Sequence, residues 1–263
     1  ARRRTWRARD HSREGAMTPP SASAKDAGTR PLASAEHPAH SGNVERVYVW
    51  DLVVRVTHWV IMLTTFILAV TGIYIGKPYL IAAGPTDQFS IMGTMKVVHF
   101  YSAIIFTLAV LVRIGWMFVG SYYARWQQFV PMSPRRRRDV FGMLKFYSFS
   151  SSEPPLNVGH NPLAGMTYLL VFTIYLILIV TGVSLYSISA VGYMSWFEWL
   201  VPVLGGAQTA RWIHHLAMWF LLGFVAHHIW SAMLVSRVEG MGLIDSLFSG
   251  YKWLPKGWRN RDK

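Results

Sequence analysis

The chain has 263 residues, of which 52% are hydrophobic and only 15% are charged, it carries a formal net charge of +13, and it contains no cysteine. Soluble domains usually carry about a quarter charged residues, so the composition favours a membrane protein. The basic residues lie in the tails and in one loop, and they do not form the patch that is typical of nucleic-acid binding. The lack of cysteine excludes disulfides, haem attached through a C-x-x-C-H motif, and thiolate-bound iron–sulfur clusters.

The N-terminal segment, residues 1–45, is rich in Arg, Ser, Ala, Pro and His and shows almost no apolar periodicity. This composition predicts a disordered extension, in which Met17 is a candidate for the natural start. The segment has no long apolar core followed by small residues, so we do not interpret it as a secretory signal peptide. The ordered domain is predicted over 46–254, and residues 255–263 are predicted to form a basic cytoplasmic tail.

Apolar stretches then alternate with polar loops. A helix needs roughly 20 residues to cross the hydrocarbon core of a bilayer. The stretches long enough to do so are 56–76, 96–119, 163–187 and 212–236. The run from Trp196 to Leu204 is too short and contains Pro202, so it is predicted to lie at the interface. The predicted fold class is all-α integral membrane: a bundle of four transmembrane helices and a short interfacial helix.

The distribution of Lys and Arg predicts how this bundle is oriented. Ten of them precede or open the first span, and further groups lie between the second and third spans and after the fourth. On the other side only Lys77, Lys96 and Arg211 occur. Positive residues remain in the cytoplasm, so both termini and the middle loop are predicted to be cytoplasmic. The run from Arg135 to Arg138 is interpreted as an orientation signal that binds anionic lipid, ahead of a docking site for a soluble partner.

Histidines are the residues in the spans that carry chemistry. The set comprises His58, His99, His214 and His228, with His215 and His227 beside the last two. Ionisable residues at membrane depth are rare and generally functional, although any one of them could simply bond to a neighbouring helix. Positions 214 and 228 are 14 residues apart, which places both rings on one face of helix four, ~21 Å apart along its axis. Pairings that use 215 or 227 have a spacing of 13 and diverge from that face.

The topology brings these histidines to matching depths as two pairs. His99 and His214 lie near the outer face, whereas His58 and His228 lie near the cytoplasmic face. Paired imidazoles suit the two axial positions of a haem iron, while zinc would need three or four ligands at one depth. The sequence therefore predicts two bis-histidine haems b. Arg113 either extends to the headgroups or neutralises a haem propionate.

A short motif in helix one is echoed in helix three, as Val70-Thr71-Gly72 and Val180-Thr181-Gly182. Small residues let membrane helices pack closely, and a flat macrocycle would need the same gap. The echo alone does not separate these two explanations.

Several motifs together resemble the b-type cytochrome subunit of membrane-bound nickel–iron hydrogenases. They are Val47-Tyr48-Val49-Trp50, Arg55-Val56-Thr57-His58-Trp59, Lys96-Val97-Val98-His99-Phe100, Gly159-His160-Asn161-Pro162-Leu163-Ala164, His214-His215-Leu216-Ala217-Met218-Trp219 and Ser249-Gly250-Tyr251. The opening motifs also occur in formate dehydrogenase gamma subunits and other di-haem b cytochromes. The resemblance covers about 46–254.

This resemblance implies haem ligands at the same four histidines. It also implies an electron-transfer subunit of the inner membrane, in a complex that can dimerise, with no catalytic nucleophile or hydrogen-activating site of its own. Hydrogenase small and large subunits would dock on the outer face, and quinone would accept the electrons near the cytoplasmic side. One departure concerns the Arg-Glu-Asp cluster that family members carry after the last ligand. Here Leu234, Val235 and Ser236 take its place, which puts a quinone or proton site there in doubt. His160 is assigned either a structural role in its loop or help with quinone protonation.

Three alternatives remain open. The chain could serve a formate dehydrogenase, or act as a stand-alone b561-type cytochrome linked to quinone. The apolar, aromatic outer segment 184–211 favours a docking surface over the stand-alone case. A cofactor-free membrane anchor or transporter would leave the four histidines unexplained, and a transporter would be expected to show interrupted helices around a polar midplane site.

Overall fold

The computed structural model of the chain describes residues 44–79, 90–155 and 157–256. The predicted N-terminal extension lies outside the described residues except for its last two positions, and the predicted basic tail lies outside them after Lys256. Long helices dominate the part that is described. The helices are α1 (Leu52–Gly76), α2 (Ile91–Val119), α3 (Pro134–Tyr147), α4 (Pro162–Ser187), α5 (Leu200–Val203), α6 (Ala207–Glu239) and α7 (Ser246–Ser249).

Four of these helices, α1, α2, α4 and α6, are long and apolar enough to cross a membrane. Even α1, with 25 residues, extends ~38 Å at 1.5 Å per residue, which exceeds the ~30 Å hydrocarbon core. Large apolar side chains such as Phe66, Leu108 and Leu170 point outward along them, as lipid permits. The prediction of four spanning helices is confirmed, and the chain is a multi-pass membrane protein.

The spanning helices pack mainly as two pairs, α1 along α2 and α4 along α6. Helix α4 begins as its sequence predicts, because the side chain of Asn161 accepts a hydrogen bond from the backbone N–H of Ala164 at 2.7 Å and Pro162 occupies the first helical turn. One end of the bundle is the end at which α1 and α4 begin and at which α2 and α6 terminate. We name it the strand end. The other end is the opposite end.

A small sheet that the sequence did not predict gives the strand end its name. Strands β1 (Val44–Tyr48) and β2 (Tyr251–Pro255) pair antiparallel, with Val47 opposite Lys252. The turn before β2 uses Gly250 at φ 86°, where an added Cβ would lie 2.6 Å from Cε2 of Tyr48. The Nε1–H of Trp50 donates to the hydroxyl of Ser246 at 2.9 Å. These contacts join the segment before α1 to the segment after α6.

Helix α3 was not predicted either, because its sequence was interpreted only as a basic run. It begins where Ser133 accepts a hydrogen bond from the backbone N–H of Arg136 at 3.2 Å, just before Pro134. Its apolar residues Met143 and Phe146 are buried against Val235 of α6. At the opposite end, the predicted interfacial run forms a 3₁₀ helix over Gly192–Phe197 and the short helix α5.

Candidate haem sites

Two histidines occupy the opposite end, and each is held by a threonine on a neighbouring helix. Nδ1 of His99 lies 2.8 Å from Oγ1 of Thr71, and Nδ1 of His214 lies 2.8 Å from Oγ1 of Thr181. A Cβ added to Gly72 would lie 3.3 Å from Cε1 of His99 and 3.9 Å from Sδ of Met218 in α6, so His99 faces the helix that carries His214. The two histidines lie eight and seven residues after the starts of α2 and α6, at the same end of the bundle.

The hydrogen bonds of the threonines fix the protonation of the rings. Oγ1 of Thr71 lies 2.8 Å from the carbonyl oxygen of Ile67, and Oγ1 of Thr181 lies 2.6 Å from that of Ile177. A carbonyl only accepts, so each hydroxyl uses its hydrogen there and must accept from the histidine. Each ring then carries its proton on Nδ1 and directs the lone pair of Nε2 elsewhere. An imidazole that donates one nitrogen and presents the other is the usual form of a metal ligand.

The glycines of the repeated motif make room for these same rings. A Cβ added to Gly72 would lie 3.3 Å from Cε1 of His99, and one added to Gly182 would lie 3.4 Å from Cε1 of His214. Each Thr-Gly pair therefore contacts its histidine in the same way. The threonine orients the ring, and the glycine leaves space for it. The repeated Thr-Gly motif lies in α1 and α4, which are the first and third spanning helices. Its purpose was ambiguous in the sequence, and in the structure it corresponds to two equivalent histidine sites.

The second pair lies toward the strand end. The ring centroids of His58 and His228 are 6.3 Å apart and the planes are inclined by 58°. Metal–nitrogen bonds of about 2.0 Å place two ligating nitrogens ~4 Å apart. The centroids of the two rings lie farther apart than these nitrogens, so the observed centroid distance suits one ion between the rings. The ring of His228 also stacks on Phe224, with centroids 5.4 Å apart and planes inclined by 19°. Nδ1 of His58 is buried and has no hydrogen-bond partner in the described part of the chain.

The neighbouring histidines on α6 have other surroundings. Nδ1 of His215 lies 3.0 Å from the carbonyl oxygen of Arg211, and its ring packs so closely on the end of α1 that a Cβ at Gly76 would meet Nε2 at 2.6 Å. The ring of His227 lies 6.0 Å from that of Tyr147 in α3. His215 thus packs on the end of α1, and His227 packs on α3.

His160 is enclosed by aromatic rings at the strand end. Its centroid lies 4.6 to 5.1 Å from those of Trp50, Phe129 and Tyr168. Its pKa is lowered to about 3, first by burial and then by the positive charges of Arg113, Arg136 and Lys252. The ring is therefore neutral at physiological pH. Tyr168 also lies 6.1 Å from His228, so His160 is separated from the second histidine pair by one aromatic side chain.

Arg113 is also at the strand end, and it does not extend to the membrane surface. The residue is only 7% exposed, and its guanidinium carbon lies 5.6 Å and 5.8 Å from the ring centroids of Phe129 and Phe172. The first of the two sequence interpretations, a side chain reaching the headgroups, does not describe this conformation. Its burial was not foreseen because Phe129 lies in a loop whose path the sequence did not predict.

The acidic residue at the end of α6 has a partner that the sequence did not suggest. The carboxylate of Glu239 lies 3.7 Å from Nζ of Lys252 in β2, and the two side chains are only 7% and 2% exposed. Nζ also lies 3.5 Å from the carbonyl oxygen of Asn157. Glu239 therefore holds strand β2 against the end of α6.

The histidines come in pairs rather than larger clusters. Within the described ranges, no three His, Asp or Glu side chains converge as ligands of one metal ion. Each pair could instead hold a haem iron, with one imidazole from each of two helices. At the opposite end, a glycine lies beside each ring and a threonine hydroxyl lies at each Nδ1.

Comparison with known proteins agrees with this geometry. The prokaryotic cytochrome b561 family matches residues 49–250. A probable Ni/Fe-hydrogenase B-type cytochrome subunit of Cupriavidus necator is 34% identical over 220 residues, which are 81% of this chain and 90% of that protein. A protein of the same description from Bradyrhizobium diazoefficiens is 34% identical over 87% of this chain and 96% of its own length. The probable Ni/Fe-hydrogenase 1 B-type cytochrome subunit of Escherichia coli K12 is 31% identical over 81% and 93%.

These matches confirm the family resemblance that the motifs carried. They cover all four long helices and both histidine pairs. Haem b is the group that a cytochrome of this type holds, and the paired histidines have the chemistry to hold it. The chain belongs to the prokaryotic cytochrome b561 family.

Proposed function

We propose that this chain is the di-haem subunit that carries electrons from a nickel–iron hydrogenase to membrane quinone. The observation that carries the proposal is the presence of two histidine pairs, one toward each end of a four-helix membrane bundle. The relatives in Cupriavidus necator and Escherichia coli are named as hydrogenase cytochrome subunits, which favours hydrogenase over formate dehydrogenase as the donor.

In this proposal His99 and His214 hold one haem b, and His58 and His228 hold the other. A haem with both axial positions filled supplies one-electron transfer and has no open position for oxygen or substrate. The protein would supply orientation: Thr71 and Thr181 engage Nδ1 of their histidines and leave Nε2 available as the ligand. Phe224 supports the ring of His228. Because the two sites lie toward opposite ends, electrons can cross the bilayer within one chain.

The orientation follows from the charges. The basic residues concentrate at the strand end and beyond it, so we place that end in the cytoplasm and the protein in the inner membrane. Quinone would be reduced on this side. Helix α3 presents Phe141 and Leu144 on an exposed face beside Arg137, Arg138 and Lys145. Such a face suits the surface of an anionic leaflet.

The hydrogenase would dock at the opposite end, through its small subunit. Aromatic side chains cluster there on the segment between α4 and α6, where Tyr193 and Trp196 are 89% and 80% exposed. Trp199 and Trp212 are exposed as well. Exposed apolar clusters of this kind mark interaction sites. Such a surface favours a docked partner over a stand-alone cytochrome.

The test uses the complex purified in mild detergent. Addition of hydrogen should reduce the haem b of the complex, and a water-soluble quinone should reoxidise it. The isolated chain should remain oxidised under hydrogen, which shows that the electrons come through the partner. Reduction by formate instead of hydrogen would support the formate dehydrogenase alternative. Purification without any partner, with the haem reduced by quinol alone, would support the stand-alone one.

A further inference from the structure

A buried cation at the strand end, Arg113, has no carboxylate within ion-pair distance in the described residues. Arg113 lies six residues before the end of α2, and His58 lies six residues after the start of α1. Each is therefore ~9 Å from its helix end, at a similar depth. The ring centroid of Phe129 lies 5.6 Å from the guanidinium carbon of Arg113 and 5.1 Å from the ring of His160, and Tyr168 connects His160 to His228, with centroid distances of 5.1 and 6.1 Å. The cation thus belongs to the surroundings of the second histidine pair.

The guanidinium of Arg113 does not form all the hydrogen bonds that its N–H groups could donate. Nη1 of Arg113 is buried and lacks a hydrogen-bond partner within the described ranges. Asp51 attracts it electrostatically, but Oδ2 of Asp51 already accepts from Nε1 of Trp116 at 2.8 Å and from the backbone N–H of Ser121 at 3.0 Å. No carboxylate lies within 4.0 Å of Arg113 in the part of the chain that is described. Buried charges are normally paired, so an anion is needed here.

The enclosure decides which anion can reach the site. Phe129, itself only 1% exposed, lies over the guanidinium together with Phe172. Gly165 of α4 allows this cover, because an added Cβ would lie 2.9 Å from the carbonyl oxygen of Gln128 and 3.0 Å from Cα of Phe129. A lipid phosphate at the surface is therefore separated from Arg113 by packed backbone and aromatic rings.

We infer that Arg113 binds a propionate carboxylate of the haem held between His58 and His228. The inference rests on the proposed haem ligation. A guanidinium offers several N–H donors in one plane and forms short, charge-assisted hydrogen bonds with a carboxylate. The charge-assisted bond would fix the rotation of the haem about the axis through its two ligands. It would also raise the reduction potential of that haem, since a nearby cation favours the form that has gained an electron.

The test is a redox titration of the full-length chain, followed in the visible spectrum. At a fixed solution potential, Arg113→Gln should shift the reduced-to-oxidised ratio of one haem by about tenfold toward the oxidised form. This corresponds to a reduction potential that is lower by about 59 mV for a one-electron couple. Arg113→Lys should recover part of the change, and the other haem should stay as it is. Arg237→Gln is the matched control, because it removes an exposed arginine near the same end. Loss of one haem in a His58→Ala variant identifies which couple belongs to the strand end.

The failure of this inference differs from the failure of the proposed function. Wild-type protein without haem would refute the ligation itself. Two bis-histidine haems whose potentials are unchanged in Arg113→Gln would overturn the role of Arg113 alone. If neither variant folds, an experimental structure of the wild-type complex decides: a propionate oxygen within 4 Å of the guanidinium supports the inference, and a lipid phosphate or a free anion in that place overturns it.

Discussion

Oγ1 of Thr71 lies 2.8 Å from Nδ1 of His99 and 2.8 Å from the carbonyl oxygen of Ile67, so the hydroxyl that donates to the carbonyl can accept from the ring. One side chain thus selects the tautomer of a histidine on another helix and leaves Nε2 as the free ligand. Thr181 does the same for His214. Partners of metal-bound histidines commonly contribute 10- to 100-fold, roughly, to metal affinity.

Thr71→Val should therefore weaken haem binding at the opposite end by about tenfold or more. Valine keeps the shape of threonine but cannot accept the Nδ1 proton. The measurement is the transfer of haem from the purified chain to excess apomyoglobin. Thr64→Val is the control, because in the described part of the chain the hydroxyl of Thr64 bonds to carbonyls of its own helix, at 2.7 and 3.2 Å, and to no histidine. Equal haem loss in the two variants would contradict the orienting role of Thr71.

Gly72→Ala should disturb the same haem by a steric route. The new Cβ would lie 3.3 Å from Cε1 of His99, so the ring must tilt or shift. The low-spin electron paramagnetic resonance signal of one haem should move, whereas the other should not. Gly223→Ala in α6 is the control, since nothing lies within 4 Å of a Cβ there. An unchanged signal in Gly72→Ala would mean that the glycine serves helix packing alone.

Acid should destabilise the protein through His160. The folded pKa of about 3 lies below the ordinary value of 6.5, so the unfolded state binds the proton first as the pH falls. Stability is then lost from pH ~6.5 downward by up to ~1.4 kcal/mol per pH unit. The unfolding temperature should fall less steeply between pH 7 and 4 in His160→Gln. Parallel curves for variant and wild type would contradict a neutral, buried His160.

The ion pair between Glu239 and Lys252 should matter far more than its surface counterpart. Glu239→Gln leaves a buried ammonium without its carboxylate, which typically costs about 3–5 kcal/mol. Asp139→Asn breaks the pair with Arg135, where the N···O distance is 4.0 Å and the side chains are 19% and 42% exposed. That variant should cost less than about 1 kcal/mol. Similar unfolding midpoints for the two variants in denaturant would contradict the structural role of the buried pair.

Local periodicity was enough to predict the four spanning helices of the bundle. Apolar runs of membrane length are properties of one segment, and the spacing between His214 and His228 places them on one face of a single helix. Contacts between distant segments were not predictable in this way. The bond between Trp50 and Ser246 joins residues 196 positions apart, and strands of five residues carry little pattern of their own.

The missed features of the site have similar physical reasons. The Thr-Gly echo was visible, but its purpose depends on how α1 and α4 are rotated toward their neighbours. The burial of Arg113 depends on the loop that carries Phe129, which has no periodic pattern. Helix α3 is a different case: Ser133-Pro134 is a recognisable helix start, and the run of arginines obscured it.

The central claim is that one chain holds two haems through four particular histidines. The most direct measurement is a pyridine haemochrome assay, with haem per chain determined for the purified full-length protein and its variants. We expect two haems b in the wild type, one in His58→Ala and one in His214→Ala. The control variants His215→Ala and His227→Ala should keep both. A folded wild type with one haem or none, or ligand variants that retain both, would contradict the claim.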